Sequence, residues 1–197
     1  MIKQSAHGIF IIPMRHDDSM QLNSIENLII RPLNVDDENA FNLAVSEFKN
    51  NEPGWEFAFK YEQTLIFSDY VQMLERWALG RDLPDKFAPN TFLVGVIGKR
   101  IIGRVSIRHV LNDYLSSVGG HVGYGVIPSE RRKGYGSKIL NLALPVAASL
   151  GISRLLLTCD DDNPGSIKVI ENNGGVFENL IQDTNSMKMK RRYWIEL

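Results

Sequence analysis

The sequence has only one cysteine, Cys159, and this scarcity excludes a whole class of proteins. A single thiol cannot form a disulfide within the chain, so the fold is not a disulfide-stabilised secreted scaffold. We therefore expect a reducing compartment, the cytoplasm. Cys159 ends an apolar run that is typical of a buried strand, and we expect this thiol to lie in the core.

Metal-ligand spacing is also lacking. Asp160, Asp161 and Asp162 form an acidic run, but nothing else in the chain supplies the spacing of a metal site. We predict loop and helix-capping roles for these carboxylates, and no bound metal.

Long apolar runs are absent, and no stretch reaches the length of a membrane span. The apolar run Gly8–Pro13 is too short and lacks a small-residue cleavage site, so we expect no secretory signal.

Neither sign of charge dominates, because 22 Lys and Arg residues face 23 Asp and Glu residues, for a net charge of −1. Bulk charge therefore attracts neither nucleic acid nor an anionic membrane, and we predict neither as a partner. The basic and aromatic tail Lys188–Trp194 allows local nucleic-acid contact, but an edge strand protected by charge explains it more simply.

Repeats and low-complexity blocks are missing too, and the length fits one domain. We interpret residues 1–26 as an N-terminal arm or an added strand, and 27–197 as a single domain. The residue patterns alternate between strands and helices and predict an α/β (α+β) fold with a mixed sheet. In chain order the predicted elements are a strand Asn27–Leu33, a helix capped by Asn34, a helix Glu62–Leu79, a hairpin Thr91–Leu111, a strand His121–Pro128, a helix ending near Leu150, a strand Ile152–Cys159, a helix from Asn163 to Gly174, and two closing strands, 176–181 and 187–197.

What the chain does have is an unusual stretch, "ERRKGYGSKIL", at residues 130–140. Gly134 and Gly136 fall where a predicted strand ends and a helix begins, and the first turn of a helix presents free N–H groups. Without side chains, these glycines let a phosphate approach those groups, and three basic residues precede them. The stretch therefore predicts an anion cradle that suits a pyrophosphate, although it fits neither the P-loop nor the Rossmann fingerprint.

The stretch reads R-x-x-G-x-G from Arg131 to Gly136, and here the chain resembles the GNAT superfamily of acetyl-coenzyme A-dependent N-acetyltransferases. "GYGVIPSER" before it and "DDDNPGSIKVIENNGG" after it strengthen the resemblance, which covers about 28–197. The chain is most similar to a subgroup of predicted acetyltransferases with no assigned substrate, through "DLPD", "GRVSIRH", "LLLTCDDDN" and "RYWI".

The resemblance implies a mostly antiparallel central sheet flanked by helices, with a V-shaped split between central strands that holds coenzyme A. It implies that backbone groups of Gly125, Val126 and Ile127 pair with the pantetheine arm. The N–H of Val126 or a neighbour would polarise the thioester carbonyl. Asn163 and Ser166 would lie near the thiol end. The residues implied for the pyrophosphate are Arg131, Arg132, Lys133, Gly134, Tyr135, Gly136 and Ser137.

The catalytic positions depart from the family's pattern. Many members carry a tyrosine acid where this chain has Ile170, and some carry a glutamate where it has Thr158. His121 is our candidate base, because a histidine titrates near working pH. Weaker candidates are His109, Tyr124 and Cys159.

The resemblance implies an N-acetyltransferase that moves an acetyl group from acetyl-CoA to a primary amine by direct attack in a ternary complex. A non-catalytic acyl-CoA-binding sensor and transfer of a longer acyl group stay open as alternatives. The acceptor is a small-molecule or peptide amine, and we expect its specificity to lie among residues 48–90. A homodimer is common in folds of this type.

Overall fold

The computed structural model describes residues 25–51, 56–61 and 66–197, and these form seven strands and four α-helices. The strands are β1 Ile29–Pro32, β2 Asn90–Ile97, β3 Arg100–Arg108, β4 Val122–Val126, β5 Arg154–Asp160, β6 Val176–Gln182 and β7 Met189–Glu196. The helices are α1 Glu38–Asn51, α2 Phe67–Ala78, α3 Tyr135–Ser149 and α4 Pro164–Asn172. The predicted order of strands and helices is confirmed.

The strands form two sheets rather than one. β1 to β4 lie in the order β1-β2-β3-β4, and the second sheet has the order β5-β7-β6, with every pair antiparallel. β4 and β5, the two central strands, belong to different sheets and meet only near one end. There the His121 N–H donates to the Leu156 carbonyl at 2.7 Å. This arrangement is the predicted V-shaped split, with its apex at His121.

Two apolar layers cover the two faces of the four-stranded sheet. Alternate residues of a strand point to opposite faces, so Leu93 contributes to one layer and its neighbour Phe92 to the other. The first layer packs against the inner face of α3, which includes Ile139. The second packs against α1 and α2 and is rich in aromatic rings. The sheet is therefore buried on both sides, and its open side is the split.

Helix starts follow local capping. Asn34 accepts a hydrogen bond from the Asp36 N–H at 2.9 Å and begins a 3-10 turn that leads into α1, as predicted. The predicted start of the second helix, near Glu62, was wrong: Ile66 is extended and α2 begins at Phe67.

The basic tail is not an edge strand, and that expectation was wrong. β7 lies between β5 and β6, because its alternating apolar residues Tyr193 and Ile195 fit a central position. Its cations face acidic partners instead of solvent alone: Lys190 pairs with Asp160 and Arg191 pairs with Asp161.

The predicted N-terminal arm, 1–26, lies outside the described residues except for 25 and 26, and the division into domains stays a prediction. Among the residues described, no helix is long and apolar enough to cross a membrane.

Candidate active site

Among the described residues, β4 is an edge strand of the four-stranded sheet, and its outer edge faces the split. In an antiparallel ladder, alternate residues direct their N–H and C=O groups toward the partner strand. Ile127 donates its N–H to the Ile102 carbonyl of β3 at 2.9 Å, and Gly125 shares this orientation through the register. Tyr124 and Val126 therefore direct their backbone groups away from β3, into the split. Of the three residues predicted to pair with the pantetheine arm, only Val126 turns its backbone toward the split. Tyr124, which was predicted only as a weaker catalytic candidate, also turns its backbone toward the split.

The Tyr124 side chain closes one side of the split. Its hydroxyl donates to the Ser166 carbonyl in the first turn of α4, at 3.3 Å. Burial raises the pKa of this phenol well above its usual value near 10. The hydroxyl is therefore protonated at neutral pH, and it is a weaker acid than a solvent-exposed phenol.

The predicted anion cradle lies at the wide end of the split. Gly134 adopts the left-handed conformation, with φ of 84°, and precedes the first turn of α3. Lys138 donates its N–H to the Gly134 carbonyl at 3.2 Å, so the amides of Gly136 and Ser137 precede this helical bond and point out of the helix end. A Cβ on Gly136 would lie 3.2 Å from the Val169 Cγ2 atom, which shows how closely the neighbouring helix approaches.

Three basic side chains around this loop bind partners within the protein. Lys133 donates to the buried carboxylate of Glu130 at 2.9 Å, and Arg100 pairs with the same group at 2.5 Å. Arg131 donates from Nε to the Val126 carbonyl at 3.2 Å, which ties the loop to the exposed edge of β4.

Two other residues predicted to bind the pyrophosphate, Arg132 and Tyr135, differ in their exposure to solvent. Arg132 is exposed and has a positive φ of 60°. Tyr135 is 4% exposed and its ring packs in the core. The predicted contact of this residue with the pyrophosphate can therefore come only from its backbone.

α4 brings Asn163, Ser166 and Ile170 to the other side of the split. The Asn163 side-chain oxygen accepts from the Ser166 N–H at 2.9 Å and caps the helix. Ile170 is 1% exposed and packs in the core, so the position where many family members carry a tyrosine is apolar and closed. The hydroxyl of Thr158 donates to the Val118 carbonyl at 2.7 Å. Neither position offers a titrating group.

His121 lies at the apex and joins the two sheets. Its ring Nδ1 accepts the Leu156 N–H at 2.9 Å, so a neutral ring carries its proton on Nε2. This bond occupies the lone pair on Nδ1 that a base would use. Burial, and then the charge of Arg108, lower the pKa of the ring below its usual 6.5. The base role stays a prediction, and these contacts weigh against it.

Cys159 is buried, as expected, and is the free thiol of the described chain. Burial raises its pKa to about 11. At neutral pH about one thiol in ten thousand is then ionised, which makes it a poor nucleophile.

A pocket of about 770 Å³ opens on the sheet face opposite α3. Phe59 and Phe87 form part of its wall, and Ser106 and Arg108 of β3 form part of its floor. The predicted acceptor region 48–90 supplies part of the wall and the floor residue Asn90, whereas the floor residues of β3 were not predicted. The sequence pattern could have indicated these β3 residues, because polar residues alternate with valine and isoleucine along this strand.

The comparisons with known proteins agree with this geometry. A family model described as an acetyltransferase (GNAT) domain matches residues 27–176, about three quarters of the chain. The chain therefore belongs to this family, and it is an acyltransferase. No curated protein matches it in sequence.

Solved structures of low sequence identity share the fold. The ribosomal-protein-S5-alanine acetyltransferase from Vibrio fischeri is similar with a TM-score of 0.66 and 16% identity, over 86% of this chain and 93% of that one. RimJ from Mycobacterium smegmatis, in complex with CoA-disulfide, has a TM-score of 0.64 and 17% identity, over 86% and 81%. The microcin C7 self-immunity acetyltransferase MccE, in complex with acetyl-CoA and AMP, has a TM-score of 0.62 and 18% identity, over 87% and 93%.

Proposed function

We propose that the protein is an N-acetyltransferase that transfers the acetyl group of acetyl-CoA to a primary amine by direct attack in a ternary complex. The observation that carries this proposal is that the loop at Gly134, which begins α3, adjoins the open edge of β4, to which Arg131 ties it through the Val126 carbonyl. Family membership and the CoA-bound structural neighbours support it.

The residues of this chain fit the donor in two places. The amides of the α3 N-terminus, with Arg132 beside them, suit a pyrophosphate. The backbone groups of Tyr124 and the N–H of Val126, whose carbonyl is bonded to Arg131, suit an extended amide-containing arm, which would add to β4 as a strand does. Acetyl-CoA would supply an activated thioester at the inner end of this arm.

The chain's contribution to the reaction is mainly positioning and polarisation. A backbone N–H of Tyr124 or Val126 in the split would donate to the thioester oxygen as it gains negative charge. Holding the amine beside the thioester converts a bimolecular reaction into one within a complex. A covalent acetyl-cysteine is disfavoured, because the Cys159 thiol is buried and its pKa is raised to about 11.

The test is calorimetric titration of acetyl-CoA into the wild-type protein and a Gly134→Asp variant. We expect the wild type to bind and the variant to lose about 100-fold in affinity, because a carboxylate at this helix end repels the pyrophosphate. The matched control is Gly151→Asp. Gly151 flanks the other end of α3 with nearly the same φ, 83°, so the control carries the same backbone strain outside the loop.

Release of free CoA thiol with a panel of amines then separates the rival functions. A protein that binds acetyl-CoA but releases no thiol with any amine is an acyl-CoA sensor, and the transfer proposal fails. Faster release from propionyl-CoA or butyryl-CoA would favour the longer acyl donor. Absence of acetyl-CoA binding by the wild type would contradict both.

Tyr124 is our candidate for the acid that protonates the leaving thiolate, in place of the tyrosine missing at Ile170. Its hydroxyl lies at the split, where it donates to the Ser166 carbonyl in the first turn of α4. We expect Tyr124→Phe to lower kcat by about 100-fold, the usual lower range for general acid catalysis. The KM for acetyl-CoA should stay within about threefold, because the backbone of β4 is unchanged. An unaltered kcat would assign the proton to solvent.

The acceptor amine belongs to a small molecule or to a peptide. The cytoplasmic location and a homodimer stay predictions. The lone buried thiol is compatible with a reducing compartment.

A further inference from the structure

The pocket opposite α3 has a polar floor beneath apolar walls. Its volume, about 770 Å³, is in the range of sites for small molecules. Phe59, Phe87 and Leu115 are among its apolar lining residues, and Asn90, Ser106 and Arg108 supply polar groups on adjacent strands. A mostly apolar cleft with a few convergent polar groups is typical of a specific binding site.

Two of these polar groups are buried without a partner. Asn90 is 6% exposed and Ser106 is 0% exposed. Within the described chain, the Asn90 side-chain oxygen and the Ser106 hydroxyl oxygen make no hydrogen bond. Leaving a buried polar group unpaired costs about 1–3 kcal/mol. Both oxygens can accept hydrogen bonds, so the floor is suited to a ligand that carries N–H donors.

Arg108 adds a cation that lacks a carboxylate. Its Nη1 donates to the carbonyls of Gly119 and Gly120 at 3.3 and 3.2 Å. Among the described residues it forms no ion pair, although Asp113 lines the same pocket. A guanidinium has five N–H donors in a planar fork that matches a carboxylate, and these two bonds leave donors on Nε and Nη2. A largely buried cation of this kind favours an anionic ligand.

Arg104, on the same face of the sheet, has a backbone hydrogen-bond acceptor for each nitrogen of its guanidinium group. It is fully buried, and its three nitrogens donate to the carbonyls of Glu56, Phe57 and Gly123 at 2.9 to 3.1 Å. These bonds tie the segment 56–59, which includes the pocket residue Phe59, to β3 and β4. Arg104 therefore has a structural role, which leaves Arg108 as the arginine available to the pocket.

The pocket floor lies close to the reactive end of the split. Ser106 is opposite Gly123 of β4, and Gly123 precedes Tyr124, whose backbone faces the split. A Cβ on Gly123 would lie 3.6 Å from the Nη1 and Nη2 atoms of Arg108. The Arg108 guanidinium therefore lies close to the strand that would polarise the thioester.

We propose that the acceptor is a free amino acid, with its carboxylate bound by Arg108 and its amine held by Ser106, which lies opposite Gly123 of β4. This inference rests on the proposed transfer reaction. One carbon separates the two groups of an α-amino acid, so a carboxylate at Arg108 places the amine beside β4. The amine nitrogen forms the new bond to the acetyl carbon, the carbon–sulfur bond breaks, and the proton lost by nitrogen balances the one gained by sulfur. A peptide N-terminus presents a neutral amide at this position and leaves Arg108 uncompensated.

The test compares each of the twenty amino acids with its carboxamide, which has the same amine but no carboxylate. With acetyl-CoA and the full chain, we expect kcat/KM for the preferred amino acid to exceed that of its amide by about 10- to 100-fold, the range for a hydrogen-bonded charge. Arg108→Gln keeps a side-chain donor for the loop carbonyls but removes the charge. It should reduce this preference to about threefold or less, mainly by slowing the amino acid reaction. Arg81→Gln, an exposed arginine outside the pocket, is the matched control.

A binding measurement keeps the pocket testable apart from the reaction. The same amino acids and amides are titrated calorimetrically into the wild-type protein saturated with CoA. Amino acid binding without thiol release would support the pocket and contradict the transfer reaction. Equal use of amino acids, amides and short peptides, or an equal loss for acid and amide in Arg108→Gln, would overturn the assignment. If Arg108→Gln does not fold, Ser106→Ala replaces it, and weaker binding of the amino acid is expected.

Discussion

Gly103→Ala is expected to destabilise the protein by about 3 kcal/mol and to lower its Tm by about 6–12 °C. A Cβ at this position would meet the Gly125 carbonyl oxygen first, with Ile139 Cδ1 at 2.9 Å and Val126 Cα at 3.2 Å. Two of these three contacts are backbone atoms of β4, which are held by the ladder to β3. The steric overlap can therefore be removed only if β4 moves, and β4 carries the edge that faces the split. Gly103→Val should prevent folding altogether.

The matched control is Gly123→Ala in β4. Its Cβ would lie 3.4 Å from the nearest heavy atom, an ordinary contact with a side-chain nitrogen of Arg104, so we expect a stability change within about 0.5 kcal/mol. Urea unfolding followed by tryptophan fluorescence measures both variants, since Trp77 is buried. A Gly103→Ala midpoint equal to that of the wild type would mean that β4 yields without cost.

The second large effect concerns His121, which connects the two sheets. His121→Leu removes the acceptor of the buried Leu156 N–H and should destabilise the fold by about 2–3 kcal/mol. In His121→Asn the side-chain oxygen occupies nearly the position of Nδ1, so the hydrogen bond can be restored. We expect this variant to stay within about 1 kcal/mol of the wild type and to keep kcat within about threefold.

The pair of variants separates positioning from catalysis. If His121 were the general base, His121→Asn would fold normally but lose about 100- to 10,000-fold in rate. Measuring kcat against pH in both proteins decides the matter, because a base would impose an acid limb on the wild-type profile that the asparagine variant lacks.

Stability should also depend on pH through this ring. The folded-state pKa of His121 is lowered by burial and by Arg108, so the unfolded chain takes up a proton at higher pH than the folded chain does. The contribution of the neutral His121 ring to the free energy of unfolding is complete above the pKa of the unfolded chain, about 6.5. It declines as the pH falls toward the lower pKa of the folded chain. His121→Asn should lack this decline. His109, whose pKa is also lowered by burial, is present in both proteins and cancels in the comparison.

Local chemistry explains what the sequence could predict. The caps at Asn34 and Asn163 and the glycines around Tyr135 act within a few residues, so their elements were placed correctly. The class of protein followed from the R-x-x-G-x-G stretch and its flanks in order. The start of α2 was misplaced because helix-forming residues precede it without a cap.

Long-range pairing explains what the sequence could not predict. The position of β7 between two strands depends on which partners it finds, and its basic residues resemble those of a protected edge. The orientation of Tyr124 and Val126 toward the split follows from the register with β3, which shifts every polar group if it changes by one residue. The pocket floor needs β2 and β3 side by side, with Asn90 opposite Arg108.

The split leaves an open strand edge inside the protein, a feature that most folds cover because such edges recruit other chains. In this fold a metabolite would serve as the covering strand. A ligand that binds only the folded chain at a hundred times its Kd adds about 2.7 kcal/mol of stability. Bound acyl donor would then hold the two sheets together and raise the free energy of unfolding of the whole chain.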